Sequence, residues 1–340
     1  MTTLEAGLDF GGYVLERRLG IGGMAEVWAA RSGEPGSSMV ALKLLAQQHA
    51  RDPSYVAMFI DEAALGARLR HRATVPIEAC FQANDTFCQV MPLVDGRDLR
   101  RVFIDAQKRK AEFPWPLAIY IAHEVACALE YAHALEDDKG RPLELVHRDV
   151  SPQNIMIARD GRVLLLDFGI AKARERLART SVGVVKGKLG YMSPRRIVGK
   201  GATPGCDVWS LGVTCWEMLA MRPLFASVEM AEVGPRIVRR EIPTLSSVRP
   251  GLPDEVYALV SELLGDDAID TAATAARRLR TVLRSSGLTQ VEAPVRLAKW
   301  ANGLVAPRPA TAVLPVQDEP TVALSPEDTA DDLDATVTMK

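Results

Sequence analysis

Two short stretches decide the fold of this chain: HRDVSPQN at residues 147–154 and DFG at residues 167–169. Each is common by chance in pieces, but their order and the thirteen positions from Asn154 to Asp167 restrict the interpretation. A positioned carboxylate such as Asp149 can accept the proton of an attacking hydroxyl. Amide and carboxylate oxygens such as those of Asn154 and Asp167 are ligands for hard divalent cations. The pattern is therefore typical of phosphoryl-transfer chemistry.

A glycine-rich segment, GIGGMAEV at residues 20–27, precedes these stretches and lies between two predicted strands. Glycines allow the backbone to approach phosphates closely and to donate N–H groups to them. The segment alone is a weak signal, because a plain hairpin has the same composition. A dinucleotide-binding fingerprint is disfavoured because that motif opens a helix. Lys43 ends the next apolar strand, and Glu62 on the following predicted helix is a candidate partner for it.

Length and composition restrict the class of protein. A chain of 340 residues and 37.0 kDa exceeds the usual single core, so two lobes are expected. The hydrophobic content of 48% and the charged content of 25% are those of a soluble globular protein. The net charge of −2 provides no basic field for nucleic acid or an anionic membrane. Five scattered cysteines without a paired motif favour reduced thiols and a cytoplasmic location, and we expect neither a signal peptide nor a membrane span.

The hydrophobic pattern changes along the chain. Short, partly β-branched runs at residues 13–19, 26–30 and 39–45 predict strands, and residues 55–69 predict one helix. From residue 116 onward, apolar residues recur every four positions, which is the spacing of one helix face. These patterns predict an α+β fold in which a small β-rich lobe precedes a larger helical lobe.

The end of the chain differs from both lobes. Thr289 and Glu292 have the spacing of a capping box and predict a last short helix. Residues 307–340 contain seven acidic and two basic residues among prolines and threonines, a composition that cannot repay the entropy of ordering. The predicted divisions are a small lobe at 10–94, a large lobe at 95–286, a helical extension at 287–303 and a disordered tail at 304–340.

In this combination the motifs resemble those of the eukaryotic-like (Hanks-type) serine/threonine protein kinases of bacteria, over roughly residues 10–286. The resemblance implies a two-lobed protein-kinase-like fold that transfers the γ-phosphate of ATP to serine or threonine hydroxyls of protein substrates, with Mg²⁺ or Mn²⁺ as the metal. It implies that Lys43 holds the α- and β-phosphates and that Glu62 orients Lys43. It further implies that Asp149 is the catalytic base and that Asn154 and Asp167 bind the metal.

The same resemblance assigns the nucleotide pocket. Ala25 stands where the family has the third glycine of the phosphate loop, at little cost if its φ angle is negative. Asp207, at the start of a predicted buried helix, is expected to tie the backbone of the catalytic loop. The implied nucleotide contacts are the loop residues Gly20, Ile21, Gly22, Gly23, Met24 and Ala25, the adenine-facing Val27, Ala41 and Met156, the pocket-guarding Met91, and the hinge residues Pro92 and Val94.

One departure from the family pattern concerns the catalytic aspartate. The family usually has a lysine two residues after that aspartate and a threonine before the substrate-docking segment, whereas this chain has Ser151 and Lys188. Our hypothesis is an exchange, in which Lys188 supplies the positive charge and Ser151 forms a hydrogen bond near Asp149. The alternative is that Ser151 marks lost catalysis, which would make the chain an ATP-binding pseudokinase scaffold.

A second departure concerns a family ion pair. The docking motif GYMSPR at residues 190–195 ends in Arg195 instead of glutamate, and the later position expected to hold arginine is Asp270. Because breaking one partner of a buried ion pair costs about 3–5 kcal/mol, a matched reversal of charge is expected to keep the pair. The alternative is independent drift of both residues on the surface.

The sequence contains candidate sites for regulation by phosphorylation. Thr180 is the preferred autophosphorylation site, with Ser181 beside it, and a phosphate there could pair with Arg148 and with Arg174 or Arg176. The alternative is that both hydroxyls belong to ordinary loop residues. A small-molecule kinase is disfavoured by the long segment from Asp167 to Pro194, which builds a platform for polypeptides. Five tail threonines could be self-phosphorylated docking sites for phosphothreonine-binding partners, or part of an inert linker. They are Thr311, Thr321, Thr329, Thr336 and Thr338.

Overall fold

The computed structural model describes residues 4–33, 38–168, 188–226, 228–265 and 269–304. Its first part is a six-stranded antiparallel sheet in the order β1-β2-β3-β4-β6-β5. The strands predicted from the sequence are confirmed, with longer bounds for two of them. The predicted strands are β2 (Tyr13–Ile21), β3 (Ala25–Ser32) and β4 (Met39–Leu45). The sequence did not indicate the other three, which are β1 (Asp9–Phe10), β5 (Ala79–Ala83) and β6 (Thr86–Pro92).

Helix α1 (Pro53–Gly66) lies against this sheet. It begins where the Asp52 carboxylate accepts a hydrogen bond from the Ser54 amide at 2.9 Å, with proline in the first turn. Its Phe59 is fully buried. The helix ends three residues earlier than predicted, at Gly66, where an added Cβ would lie 2.4 Å from Ile77. The chain after α1 therefore packs directly onto the helix backbone.

The second lobe is helical and surrounds helix α3 (Trp115–His133), which is buried on nearly all faces. The fourfold apolar repeat that predicted this helix is confirmed, and a helix that is apolar all round belongs at the centre of a core. A second buried helix, α5, packs across α3. The helices of the described part are α2 (Leu99–Lys108), α3 (Trp115–His133), α4 (Pro194–Ile197), α5 (Pro204–Ala220), α6 (Met230–Val238), α7 (Leu245–Val248), α8 (Asp254–Leu264), α9 (Ala272–Ser285) and α10 (Glu292–Gly303).

A small sheet connects the lobes and carries the motifs. Its order is β7-β8-β9, with β7 (Gly96–Asp98), β8 (Ile155–Ala158) and β9 (Val163–Leu165) all antiparallel. Asn154 directly precedes β8, and Asp167 follows β9 by two residues. Because Ile155 pairs with Leu165, the two candidate metal ligands lie at the same end of the β8–β9 hairpin.

The last helix, α10, begins with the predicted capping box. The Thr289 hydroxyl lies 3.0 Å from Glu292 Oε2, and the Glu292 amide donates to Thr289 Oγ1 at 3.2 Å. Within the described ranges, no helix is long and apolar enough to cross a membrane.

Candidate active site

Lys43 lies at the centre of an ion-pair network between the two lobes. Its ammonium is 2.7 Å from Glu62 Oε1 on α1 and 3.0 Å from Asp167 Oδ1 beyond β9. The side chains of Lys43 and Glu62 are 12% and 8% exposed, so water screens this pair only weakly. The contact between Lys43 and Glu62 anticipated from the sequence is thus present, and Asp167 joins it.

The same network fixes the charge of Lys43. Burial alone would lower the pKa of its ammonium, but the negative charges of Asp167 and Glu62 outweigh burial and hold the pKa above its ordinary value. Lys43 therefore stays cationic at neutral pH, as a phosphate ligand must. Asp167 has a φ angle of 46°, a left-handed conformation that is uncommon outside glycine and frequent at functional sites.

The glycine-rich segment is the turn between β2 and β3. The Gly22 amide donates to the Ala25 carbonyl at 2.8 Å, and the Ala46 amide donates to the Met24 carbonyl at 2.9 Å. His49 Nε2 lies 3.1 Å from the Gly23 carbonyl. These contacts hold the turn over the end of β4, which places it next to Lys43.

Two residues of this turn face the protein interior. Ala25 packs with Leu45 and Phe59, and it is not among the residues with a positive φ angle. Because this φ angle is not positive, alanine can replace the family's glycine at position 25 with little backbone strain. The Met24 side chain packs against the cluster around α1. Ala25 and Met24 can therefore offer a phosphate only their backbone, whereas Ile21 is 66% exposed at the end of β2.

The adenine-facing positions lie on neighbouring strands. Ala41 on β4 pairs with Met91 on β6, and Val27 on β3 pairs with Lys43. The hinge continues from β6 through Pro92 and Val94 to β7. Met156 on β8 pairs with Asp98, the last residue of β7.

Asp98 is a candidate residue of the nucleotide site that the sequence did not indicate. Its carboxylate caps α2 by accepting the Arg101 amide at 2.8 Å, and burial raises its pKa. Only the pairing with Met156 reveals that it borders the proposed adenine site, and the motif spacing contains no such signal.

The catalytic loop is tied to the start of α5, as predicted for Asp207. Its two carboxylate oxygens accept the amides of His147 and Arg148, each at 2.8 Å. His133 on α3 adds a contact of 2.9 Å, which the sequence did not indicate. His147 is fully buried, and its Nε2 lies 2.9 Å from the Leu166 carbonyl, so this histidine packs as a structural residue beneath the loop.

Asp149 receives two side-chain donors from different elements. Asn154 Nδ2 donates to Asp149 Oδ2 at 2.9 Å and to its backbone carbonyl at 2.7 Å. Lys188 Nζ lies 2.5 Å from Asp149 Oδ2. The side chain of Lys188 is 26% exposed and that of Asp149 is 6% exposed. The structure therefore brings an ammonium group to the catalytic aspartate from the segment that leads to the docking motif.

Ser151 does not form the hydrogen bond that the exchange hypothesis assigned to it. Its hydroxyl is buried and has no hydrogen-bond partner among the described residues. The backbone of Ser151 is extended, with φ −164° and ψ 162°, at the entrance of the short helical turn at Pro152–Asn154. The position of Lys188 agrees with the exchange hypothesis, whereas the part given to Ser151 is wrong.

The ion pair between Arg195 and Asp270 is absent, so that prediction is wrong. Both residues are exposed, and Arg195 Nε donates instead to the Gly201 carbonyl at 2.8 Å. The arginine that reaches this part of the core is Arg240, which lies 5.1 Å over the ring of Trp209 and donates to the Leu264 carbonyl at 2.6 Å. Exposure removes the penalty that would have required a paired reversal of charge.

Two sequence predictions concern residues outside the described ranges. They are the phosphorylation sites Thr180 and Ser181, and the tail at 304–340 with its threonines; of this tail only Leu304 is described. Gly169 of the DFG stretch also lies outside them.

Comparison with known proteins agrees with this geometry. The family described as "Protein kinase domain" matches residues 13–275. The chain belongs to this family. The resemblance to protein kinases and the two-lobed kinase fold expected from the motifs are thereby confirmed.

Among related protein kinases, "Tyrosine-protein kinase MasK" of Myxococcus xanthus is 35% identical over 290 residues, which cover 82% of this chain and 45% of that protein. "Serine/threonine-protein kinase PknJ" of Mycobacterium tuberculosis is 35% identical over 272 residues, covering 78% and 44%. The crystal structure of the PknI kinase domain of the same organism matches with a TM-score of 0.60 and 26% identity, over 84% of this chain and 100% of that domain. The chain spans less than half the length of the curated relatives it matches.

Proposed function

We propose that this protein kinase domain transfers the γ-phosphate of ATP to serine or threonine hydroxyls of proteins, including its own activation segment, in the cytoplasm. The observation that carries the proposal is the Lys43 ammonium held between Glu62 and Asp167, at 2.7 and 3.0 Å. A fixed cation beside a metal-ligating carboxylate suits the polyphosphate of a nucleotide, because phosphoryl transfer depends on positioning and on charge stabilisation.

Asn154 and Asp167 would hold the Mg²⁺. Both amide hydrogens of Asn154 are directed at Asp149, and no described residue donates to its amide oxygen, so that oxygen suits a hard cation. The ion held by these two residues would supply positive charge that offsets the charge of the nucleotide phosphates. Asp149 would orient the acceptor hydroxyl and take its proton. Lys188 would balance the negative charge that develops next to Asp149.

An ATP-binding scaffold without transfer activity is less well supported. That alternative rested on the missing lysine at Ser151, but the ammonium of Lys188 lies 2.5 Å from Asp149. The charge that the family supplies from the catalytic loop is therefore replaced from the other side of the site.

Tyrosine is a second candidate acceptor. One relative is named a tyrosine-protein kinase, others are named serine/threonine-protein kinases, and this chain lacks the family's threonine at position 188. Serine and threonine remain the primary proposal because the motif set resembles serine/threonine kinases. Phosphoamino-acid analysis of the product separates the two.

Regulation by phosphorylation rests on Arg148. Its Nε is buried and has no hydrogen-bond partner in the part of the chain that the structure describes, so this nitrogen suits an anion. We propose Thr180 as the phosphorylated residue that supplies it, and the tail threonines as sites for a phosphothreonine-binding partner. Intact-mass analysis that finds no phosphate beyond residue 306 in active enzyme would eliminate the tail sites.

The test is autophosphorylation of the full chain with Mg·ATP, with sites mapped by mass spectrometry, beside Asp149→Asn. We expect phosphate on Thr180 or Ser181 that is lost in the Asp149→Asn variant. Absence of phosphate from a chain that binds ATP in a thermal-shift assay would favour the scaffold.

A further inference from the structure

The last helix, α10, lies beyond residue 275, where the family match ends, yet it is built into the large lobe. One face buries Ala293, Leu297 and Ala301, each at most 2% exposed. The Trp300 ring packs 4.3 Å from the ring of Phe113. A helix buried to this degree is held by the core and is more than a connection to the segment that follows.

The C-terminal half of α10 contacts both strands next to the adenine site. Arg97 on β7 donates to the Ala301 carbonyl with one guanidinium nitrogen and to Asp105 on α2 with another at 2.7 Å. Asn302 Nδ2 donates to the Arg159 carbonyl at 3.0 Å, in the turn between β8 and β9. The helix end therefore holds β7 and the β8–β9 hairpin at the same time.

The N-terminal half of α10 packs directly on that turn. Gly161 has a φ angle of 86°, and a Cβ added to it would lie 1.8 Å from the Pro294 carbonyl oxygen. Only glycine allows this approach of two backbones. Both halves of α10 thus rest on the turn of the β8–β9 hairpin, whose open end carries both Asn154 and Asp167.

We propose that α10 is a positioning element of the nucleotide site, which fixes the β7-β8-β9 sheet so that Asn154 and Asp167 are held at the geometry that a Mg²⁺–nucleotide complex requires. The inference rests on the proposed ATP and Mg²⁺ chemistry. It assigns α10 to the catalytic unit, in place of the separate extension expected from the sequence. Mutation of a residue that orients a metal ligand commonly lowers metal affinity by about 10–100-fold.

The test uses two pairs of variants in the full chain. Gly161→Ala forces α10 away from the hairpin, and Gly251→Ala is its control, because Gly251 has a similar φ angle of 89° with no atom within 4 Å of an added Cβ. Leu297→Asp places a charge on the buried face of α10. Val295→Asp makes the corresponding change on the same helix at a residue that is 67% exposed.

The measurement is the dissociation constant of ATP with Mg²⁺ and with EDTA, by calorimetry, with circular dichroism as the check on folding. We expect Gly161→Ala and Leu297→Asp to weaken binding about 10-fold with Mg²⁺ and much less with EDTA, while both controls stay within about twofold of the parent. Should Leu297→Asp fail to fold, Gly161→Ala alone decides.

Binding by folded Gly161→Ala that equals the parent, or a loss that is the same with and without Mg²⁺, would overturn the inference. A parent chain that shows no Mg²⁺-dependent ATP binding would instead refute the proposed function. The two failures are therefore distinguishable.

Discussion

At the level of single residues, the surroundings of Asp149 differ from the family pattern, because Ser151 follows it by two residues and Lys188 contacts it. Two donors share its Oδ2, Asn154 at 2.9 Å and Lys188 at 2.5 Å. Charge-assisted bonds at a weakly screened site are among the stronger polar contacts. Lys188 thus brings to Asp149 an ammonium of the kind that the family pattern places at the position of Ser151.

Replacement of Ser151 should stabilise the fold. Its hydroxyl is buried without a partner, so Ser151→Ala should raise the free energy of unfolding by about 1 kcal/mol. Ser210→Ala is the matched control, because Ser210 is equally buried but donates to the carbonyls of Tyr191 and Cys206, at 2.7 and 2.9 Å, and its loss should be destabilising. Urea unfolding measures both. A destabilised Ser151→Ala variant would show that the hydroxyl has a partner after all.

Glu217 should make stability depend on pH. Burial raises the pKa of its carboxyl to about 7, and hydrogen bonds from Tyr191 and Leu224 offset only part of that rise. Because the folded state holds this proton more tightly than the unfolded chain, its contribution is full below pH 4.5 and is lost as the pH rises to about 7. Glu217→Gln should remove that loss, which is about 3 kcal/mol at most. Unfolding free energies of both chains from pH 4.5 to 8 give the comparison, and parallel curves would contradict the assignment.

The sequence predicted those site residues whose partners belong to the same motif set. Lys43, Glu62 and Asp167 meet as the motifs indicate. It could not predict the contact of 2.6 Å between Tyr191 and Glu217, because that pair depends on how the docking segment crosses α5. Nor could it reveal that Asp98 borders Met156, since strand register follows from the folded sheet.

At the level of elements, the hydrophobic period predicted strands β2, β3 and β4 and helices α1, α3 and α5, but packing decided where they end. Helix α1 stops at Gly66 because Ile77 lies on its backbone, a contact that propensity does not contain. The capping box of α10 is local in sequence, and its prediction was confirmed. The Arg195–Asp270 pair required contact between distant elements, and that prediction was wrong.

The contact of Arg240 on Trp209 provides a test at this scale. Arg240→Ala removes a cation–π contact and a hydrogen bond to Leu264, so we expect a loss of about 2 kcal/mol in unfolding free energy. Arg195→Ala, on the exposed surface, should change it by less than about 0.5 kcal/mol. Losses of equal size, or strong coupling between Arg195→Glu and Asp270→Arg in a double-mutant cycle, would restore the ion-pair interpretation.

At the level of the whole molecule, the proposed nucleotide site joins the two lobes. Lys43 and Glu62 come from the small lobe, and Asp167 follows the sheet that connects the lobes. A ligand held by all three should therefore stabilise the entire folded chain against unfolding.

Mg·ATP at 100 times its dissociation constant should add about 2.7 kcal/mol to the unfolding free energy. Asp167→Asn should lose most of the part that depends on Mg²⁺, while Lys43→Ala should lose stabilisation with Mg²⁺ and with EDTA. Thermal unfolding with and without EDTA makes the measurement. Stabilisation by Mg·ATP that survives Lys43→Ala undiminished would place the nucleotide elsewhere.

We propose that this kinase domain is active and that Lys188 provides the positive charge that the family places at the position of Ser151. The most direct measurement is the single-turnover rate of phosphotransfer in the parent, Lys188→Thr, Ser151→Lys and the double variant, which restores the family arrangement. We predict that Lys188→Thr slows transfer about 100-fold, the usual effect of removing one stabilising donor, and that the double variant recovers most of the rate. A Lys188→Thr chain as fast as the parent, or a double variant as slow as Lys188→Thr, would contradict the claim.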